Sequence, residues 1–249
     1  MNFCVPTGNF GDILAAYYAK RMGLPVNKLI CASNSNNVLT DFLRTGIYDR
    51  NRPFHTTISP SMDILISSNL ERLLFDLSGE NDAEIQMYMD ALGSAGRYQV
   101  SDNIKAKLDD AFWGGCCSEE ETEETIRRYW QDHNYLIDPH TAVAYKVAEQ
   151  LRGENPVLIA STAHWAKFGE NVYRALHNLK PRENLPEQVA SLSGCELNEL
   201  IADEAHCHNI PRGLAELDSL PIRFSETISG TTEAIEEAVD SFLLDKDAE

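Results

Sequence analysis

The stretch NFCVPTGNFGDILAAYYAKRMG, residues 2–23, joins a strand, a glycine-containing loop and a helix in immediate succession. A short run of strand-forming residues ends at Pro6, and a helical pattern then continues until Gly23. Glycine commonly ends a helix because it adopts the left-handed conformation without steric cost. A strand–loop–helix unit of this kind is the building block of α/β folds.

The loop over residues 7–12 is a candidate anion site. A helix N-terminus offers free backbone N–H groups and the positive end of the helix dipole, which together suit a phosphate. Gly8 and Gly11 let the backbone close around an anion, and Thr7 and Asn9 can add side-chain donors. The loop is neither a Walker loop nor a GxGxxG fingerprint. A purely local strand-to-helix turn is the alternative interpretation.

A second junction of the same kind follows near residue 160. A buried strand pattern over residues 156–160 leads into Ser161-Thr162-Ala163-His164, and a helix is predicted from about residue 166 to 177. Ligands of open α/β sheets bind at the carboxyl ends of the strands. We therefore expect the two loops at one sheet edge, where one offers backbone amides and the other offers hydroxyls and an imidazole.

The rest of the chain up to residue 180 alternates between strand and helix patterns. Further strands are predicted at residues 28–33 and 98–100, and the Gly-Gly-Cys-Cys sequence at 114–117 is interpreted as a turn. Helices are predicted over residues 38–45, 70–77, 83–95, 102–112, 119–133 and 139–152. The pattern predicts an α/β fold with a mostly parallel sheet flanked by helices.

Two helices carry clear start signals. Ser118 and Glu121 have the spacing of a capping box, in which each side chain bonds the other residue's backbone N–H. Asp138 precedes Pro139 and is predicted to be the N-cap of the next helix.

The sequence after residue 180 is predominantly helical. Helices are predicted over residues 183–190, 196–205 and 231–244, with at most a short strand at 222–224. Ile235, Val239 and Phe242 recur at helical spacing, which predicts packing into a core.

Composition excludes several classes of protein. The chain has 249 residues, 43% hydrophobic content and a net charge of −18, which argues against nucleic acid and anionic membranes as partners. No apolar run approaches the roughly 20 residues of a membrane span, and the N-terminus lacks a secretory signal pattern. The six cysteines lack zinc-site spacing. A cytoplasmic protein without a metal site is predicted.

Five stretches, taken in order, resemble successive motifs of the threonine synthase family. Their succession is far more specific than any one of them. They are VPTGNFGDILAAYYAKRMGLP (5–25), NSNNVLTDFLRTGIY (34–48), SPSMDILISSNLERLLF (59–75), LIDPHTAVAY (136–145) and LIASTAHWAKF (158–168).

The resemblance implies a lyase that depends on pyridoxal 5'-phosphate (PLP) and has fold type II, the tryptophan-synthase-β-like fold. The implied reaction converts O-phospho-L-homoserine and water to L-threonine and phosphate in threonine biosynthesis. In such chemistry PLP serves as the electron sink.

The resemblance also implies roles for individual residues. Thr162 would face the pyridine nitrogen, with Ser161 as the neighbour most easily confused with it. The loop that would hold the PLP phosphate consists of Gly8, Asn9, Phe10, Gly11 and Asp12. The residues implied near the substrate are Ser67, Ser68 and Asn69.

Two features depart from the family pattern. The family's Schiff-base lysine lies upstream of the phosphate loop, and this sequence carries no such segment, so we expect no catalytic lysine here and a C-terminal fragment. Trp165 stands where the family usually has proline. Residues 1–180 are expected to form the C-terminal part of the PLP-binding catalytic domain, and residues 181–249 a helical segment packing on it.

Three alternatives accompany this interpretation. Lys167 lies close to Thr162 in sequence, but a solvated lysine in the first turn of a helix is the simpler interpretation. Ser161, His164, Asp138 and His140 could form a hydrolase set, although no G-x-S-x-G elbow is present. A noncatalytic α/β module that binds a phosphorylated small molecule is the alternative function.

Overall fold

The computed structural model describes residues 1–223 and 225–246, and Phe224 of the predicted strand at 222–224 lies outside them. The strands are β1 (Asn2–Pro6), β2 (Leu29–Ser33), β3 (Ile47–Asp49), β4 (Arg97–Gln99), β5 (Phe112–Cys116) and β6 (Val157–Ile159). The helices are α1 (Gly11–Arg21), α2 (Val38–Thr45), α3 (Leu70–Ser78), α4 (Asp82–Ala95), α5 (Asp102–Ala111), α6 (Glu119–His133), α7 (Pro139–Gln150), α8 (Gly169–Leu176), α9 (Glu187–Ala190), α10 (Gly194–Glu204), α11 (Arg212–Ala215) and α12 (Thr232–Lys246).

The central sheet has four parallel strands in the order β5-β2-β1-β6. A separate antiparallel pair joins β3 and β4, with Tyr48 opposite Tyr98. In the central sheet Cys4 of β1 lies opposite Ile159 of β6, so the loops after these strands leave the same edge side by side. The predicted fold class and the predicted juxtaposition of the two loops are confirmed.

Both faces of the sheet are covered by helices. Leu29 and Cys31 of β2 belong to a core shared with α1 to α5, whereas Ile30 and Ala32 pack with α7 on the other face. Successive side chains of a strand point to opposite faces of the sheet. Because helices cover both faces here, the sequence of a central strand is a continuous apolar run. A further core joins α6, α8 and α10.

The predicted turn at residues 114–117 is wrong, because Gly114 and Gly115 lie in β5 and pair with β2. A Cβ on Gly114 would lie 3.1 Å from Cα of Thr40, and a Cβ on Gly115 would lie 2.6 Å from Cγ1 of Val147. The two glycines therefore allow α2 and α7 to approach opposite faces of an edge strand. Sequence alone does not separate this use of glycine from a turn.

The helix start signals behave as predicted. Ser118 and Glu121 form a complete capping box at α6, and the Asp138 side chain accepts a hydrogen bond from the backbone N–H of His140 at α7. The predicted helix at 166–177 instead begins with a 3₁₀ turn, Trp165–Phe168, before α8.

The last helix does not pack as predicted. Ile235, Val239 and Phe242 of α12 remain 45–51% exposed, so the predicted core packing of this helix is wrong. Helical spacing of apolar residues shows which face would be buried but not whether a partner covers it. By contrast, Leu197 and Ile201 of α10 are buried against α8. Among the described helices, none combines the length and apolar character of a membrane span.

Candidate functional site

The loop between β1 and α1 is anchored at both ends. The backbone N–H of Thr7 donates to the carbonyl oxygen of Ala32 (2.8 Å), and its hydroxyl donates to the carbonyl oxygen of Val5 (2.7 Å). At the other end Phe10 has φ +61°, a left-handed conformation that is costly for a bulky residue. Its ring is buried and lies 5.8 Å from that of Phe112, which holds the loop against the core.

The backbone amides of this loop have no internal partner. Among the described residues, no acceptor receives a hydrogen bond from the N–H groups of residues 8–12, and the first helical bond runs from Leu14 N–H to Phe10. Asn9, Gly11 and Asp12 are exposed. The arrangement is that of an anion site at a helix N-terminus.

Residues 67–69 hold this loop directly. The hydroxyl of Ser67 donates to the carbonyl oxygen of Gly8 (3.0 Å), and the amide of Asn69 donates to that of Asn9 (2.9 Å). Ser68 donates from its backbone N–H and its hydroxyl to Oδ1 of Asn9, at 2.7 and 2.8 Å. The residues implied near the substrate therefore orient the loop.

Gly8 is required by close packing. A Cβ at this position would lie 2.6 Å from the carbonyl oxygen of Ser61 and 3.0 Å from Cα of Met62. A Cβ on Gly11 would lie 3.4 Å from the Asn69 amide nitrogen, an ordinary contact. The two glycines of the motif thus have different structural roles.

The segment that packs on Gly8, residues 57–63, is here called the strap. Asp63 receives hydrogen bonds from the side-chain amides of Asn34 (2.8 Å) and Asn36 (3.0 Å) and from the backbone N–H of Thr57 (2.7 Å). Glu119 of α6 accepts from the strap at Ile58 (2.7 Å). Sequence reasoning missed these residues, although Asn34 and Asn36 directly follow β2 at the same sheet edge.

The loop after β6 presents an unused hydroxyl. Thr162 is exposed, and its hydroxyl has no hydrogen-bond partner in the part of the chain that the structure describes. The hydroxyl of Ser161, in contrast, lies 3.2 Å from that of Thr141. The imidazole of His164 accepts a hydrogen bond from the backbone N–H of Ala166 (3.2 Å), and burial lowers its pKa.

Behind this loop lies a buried polar group. Asp138 accepts from the ring Nδ1 of His140 (2.9 Å) and from the hydroxyl of Thr141, and Nε2 of His140 accepts from the backbone N–H of Ser61 (3.2 Å). Burial alone would raise the pKa of Asp138, but the hydrogen bonds from His140 and Thr141 lower it below its usual value. Both ring nitrogens of His140 are thus occupied, so the structure does not support a serine–histidine pair with Ser161.

Lys167 and Trp165, which the sequence analysis singled out, lie in the 3₁₀ turn that precedes α8. Lys167 is exposed and lines a cavity of about 570 Å³ between α8 and α10 together with Asn198 and Leu214. Trp165 is buried, and its indole N–H donates to the side chain of Asn209 (3.1 Å).

One family model and several known proteins match this chain in sequence. The family described as "Threonine synthase, C-terminal" matches residues 141–219. "Threonine synthase-like 1" from Homo sapiens is 46% identical over 191 residues, which are 76% of this chain and 26% of that protein. Threonine synthase from Pseudomonas aeruginosa is 39% identical over 219 residues, 87% of this chain and 44% of the relative.

Solved structures show the same relationship. The crystal structure of threonine synthase from yeast superposes with a TM-score of 0.79 at 33% identity, over 98% of this chain and 48% of that one. The PLP-bound threonine synthase from Brucella melitensis gives a TM-score of 0.68 at 36% identity, over 84% and 47%.

The fold is that of the α/β proteins of PLP fold type II. Within that class the chain belongs to the threonine synthase family. It spans between about a quarter and a half of the length of these relatives.

Proposed function

We propose that this chain forms part of a PLP-dependent threonine synthase, which converts O-phospho-L-homoserine and water to L-threonine and phosphate. The observation that carries the proposal is the loop over residues 8–12 at the N-terminus of α1, whose backbone amides have no acceptor among the described residues. A phosphate needs such donors, and the family relationship makes the phosphate of PLP the ligand of choice.

The residues of this loop fit a phosphate through their backbone. Gly8 lies so close to the strap that no side chain fits there, and Phe10 turns the backbone in the left-handed conformation. The amides of Gly8, Asn9, Phe10, Gly11 and Asp12 are the donors that would hold the group. The carboxylate of Asp12 has the same sign of charge as a phosphate, so we assign it only a backbone role.

Thr162 is proposed as the partner of the pyridine nitrogen. Its hydroxyl is exposed and has no hydrogen-bond partner among residues 1–223 and 225–246, which supports this role, whereas the Ser161 hydroxyl is bound to Thr141. A hydroxyl in that place leaves the nitrogen largely unprotonated. PLP supplies the electron sink of the reaction when it is bound. The residues described here bind and orient the cofactor.

The covalent lysine is not assigned to this chain. The resemblance places that lysine upstream of the loop over residues 8–12, and Lys167 lines a cavity between α8 and α10. We propose that the chain alone binds PLP weakly and noncovalently. We also propose a cytoplasmic location, a catalytic-domain segment at residues 1–180 and a C-terminal segment at residues 181–249, of which α10 packs on α8.

Equilibrium dialysis with PLP tests the function, and borohydride reduction followed by mass spectrometry tests the mode of binding. We expect saturable binding of one PLP per chain, competed by inorganic phosphate, with no stoichiometric reduced adduct. A stoichiometric adduct on one lysine would overturn the noncovalent assignment. Absence of saturable binding would contradict the cofactor site itself.

Binding of phosphate without any preference for PLP would favour the alternative, a noncatalytic module for a phosphorylated small molecule. The same dialysis with O-phospho-L-serine in place of PLP gives this comparison. The proposed function predicts that PLP binds more tightly, because Thr162 adds a contact at the ring that other phosphates lack.

A further inference from the structure

A chain of hydrogen bonds runs from the strap to the loop after β6, through Asp138, His140 and Thr141. All three side chains are nearly inaccessible to solvent, with exposures of 1%, 3% and 6%. At one end the chain reaches the backbone of Ser61, and at the other it reaches the hydroxyl of Ser161. These two ends lie beside the two halves of the proposed cofactor site.

The hydroxyl of Thr141 links Asp138 to Ser161. A hydroxyl has one proton, and that of Thr141 donates to the Asp138 carboxylate. The 3.2 Å contact to Ser161 has the same Thr141 hydroxyl as its donor, so one proton is shared between the Asp138 carboxylate and the Ser161 hydroxyl. The hydroxyl of Ser161 is thus engaged with Thr141, whereas that of Thr162 has no hydrogen-bond partner among the described residues.

The two hydrogen bonds of the His140 ring fix its tautomer. Its Nε2 accepts from the backbone N–H of Ser61, so the ring proton is on Nδ1 and is donated to Asp138. The ring of Phe168 lies 4.9 Å from the imidazole. His140 therefore bridges Ser61 and Asp138 with a defined donor side and a defined acceptor side.

The bridge continues by packing into the loop over residues 8–12, which is the proposed phosphate loop. The carbonyl oxygen of Ser61 is the atom that a Cβ on Gly8 would meet at 2.6 Å, so a displacement of Ser61 moves the surface against which the loop rests. A helix cap alone requires only the bond from the His140 backbone N–H to Asp138. The side-chain bonds to His140 and Thr141 serve contacts outside α7.

We propose that Asp138, His140 and Thr141 are positioning residues, which fix the phosphate loop and the Ser161–Thr162 loop in one relative geometry. The proposal rests on the proposed function of these loops as the two halves of a PLP site. It assigns the residues no contact with the cofactor. Their effect passes through Ser61 to Gly8 on one side, and through Ser161 to Thr162 on the other.

Two matched substitutions of His140 separate positioning from general stability. In His140→Gln the amide oxygen can reach the place of Nε2 and still accept from Ser61. In His140→Asn the shorter amide can still donate to Asp138 but does not reach Ser61. Both variants remove the same ring from the same buried position, and asparagine is smaller than glutamine by one methylene, so the comparison is read from the residues whose signals shift and not from stability.

The first readout is the backbone amide NMR spectrum of the ligand-free chain. We expect His140→Asn to shift the signals of residues 8–12 and of Ser61, and His140→Gln to leave them close to wild type. Thr141→Val is expected to shift the signals of residues 161 and 162, with Thr141→Ser restoring them. Equal shifts in both His140 variants, or shifts confined to α7, would overturn the proposal.

The second readout is PLP affinity by equilibrium dialysis. We expect His140→Asn to weaken binding about tenfold and His140→Gln to weaken it about threefold or less, as the loss of one hydrogen bond implies. Equal affinities for the two variants would contradict positioning. If wild type binds no PLP, the proposed function fails, and the ligand-free spectra still decide whether the bridge couples the loops.

Discussion

The loop over residues 8–12 and the structure beneath it differ in how their polar groups are hydrogen-bonded. The backbone amides of residues 8–12 have no acceptor among the described residues. In contrast, Asp63 of the strap accepts hydrogen bonds from Asn34 and Thr57, and Asp138 accepts one from His140. A ligand-binding surface needs free donors, and free donors stay in place only on a base that is itself satisfied. The difference suggests how this edge of the sheet can hold an anion without collapsing.

The substitution Gly8→Ala breaks this arrangement most severely. The added methyl group meets the Ser61 carbonyl oxygen at 2.6 Å, so either the loop or the strap must move. We expect a loss of about 2–3 kcal/mol in the free energy of unfolding, as for overpacked sites, and loss of measurable PLP binding. Urea unfolding and equilibrium dialysis measure the two effects.

Gly11→Ala is the matched control. Its Cβ makes only an ordinary contact at 3.4 Å, and alanine is favoured over glycine in a helix. We expect its stability to stay within about 0.5 kcal/mol of wild type. If both variants behave alike, the close approach of Gly8 to the strap is not the reason for glycine in this loop.

Glu123 is an exception within the satisfied interior. Its side chain is 4% exposed, and Oε1 has no hydrogen-bond partner within the described residues. Burial, followed by repulsion from Glu119, raises the pKa of Glu123 to about 7. This unpartnered group lies on α6, away from the two loops, where it costs stability at high pH.

The folded state therefore binds more protons than the unfolded state, and stability falls as the pH rises from about 4.5 through about 7. We expect Glu123→Gln to be about 1–2 kcal/mol more stable than wild type at pH 8 and similar to it at pH 5. Urea unfolding at both pH values measures this. The exposed Glu124→Gln is the control, and a gain of equal size there would show a general charge effect.

Thr162→Val tests the other half of the site with a smaller expected effect. Valine keeps the shape and removes the hydroxyl, which has no partner in the described chain. PLP affinity should fall about three- to tenfold at unchanged thermal stability, and Thr162→Ser should restore it. If Ser161→Ala weakens PLP binding while Thr162→Val does not, the assignment of the two hydroxyls is reversed.

The smallest effect is expected from deleting residues 231–249, which include α12. Ile235 and Val239 are about half exposed, so little apolar burial is lost. The free energy of unfolding should change by less than about 0.5 kcal/mol. A loss above about 1 kcal/mol in urea unfolding would show that this helix stabilises the rest of the chain.

Local sequence signals predicted a large part of the fold. The β1–α1 junction, the capping box at Ser118 and the N-cap at Asp138 each depend on residues within a few positions of one another. The two loops could be placed together because parallel strands share one functional edge. The five ordered motifs indicated the threonine synthase family.

What the sequence did not reveal depends on distant neighbours. Gly114 and Gly115 look like a turn until Thr40 and Val147 are seen against them. The hydrogen bond between Asn34 and Asp63 joins residues 29 positions apart in the sequence. The exposure of α12 depends on whether another part of the molecule covers its apolar face, and the sequence of the helix alone does not show this.

The central claim is that free amides of residues 8–12 bind the phosphate of PLP. Backbone amide NMR of the chain, titrated with PLP and separately with pyridoxal, tests it most directly. We predict that PLP shifts the signals of Gly8, Asn9 and Gly11 in a saturable manner and that pyridoxal leaves them unchanged. Equal shifts with both compounds, or no shift with PLP, would contradict the account.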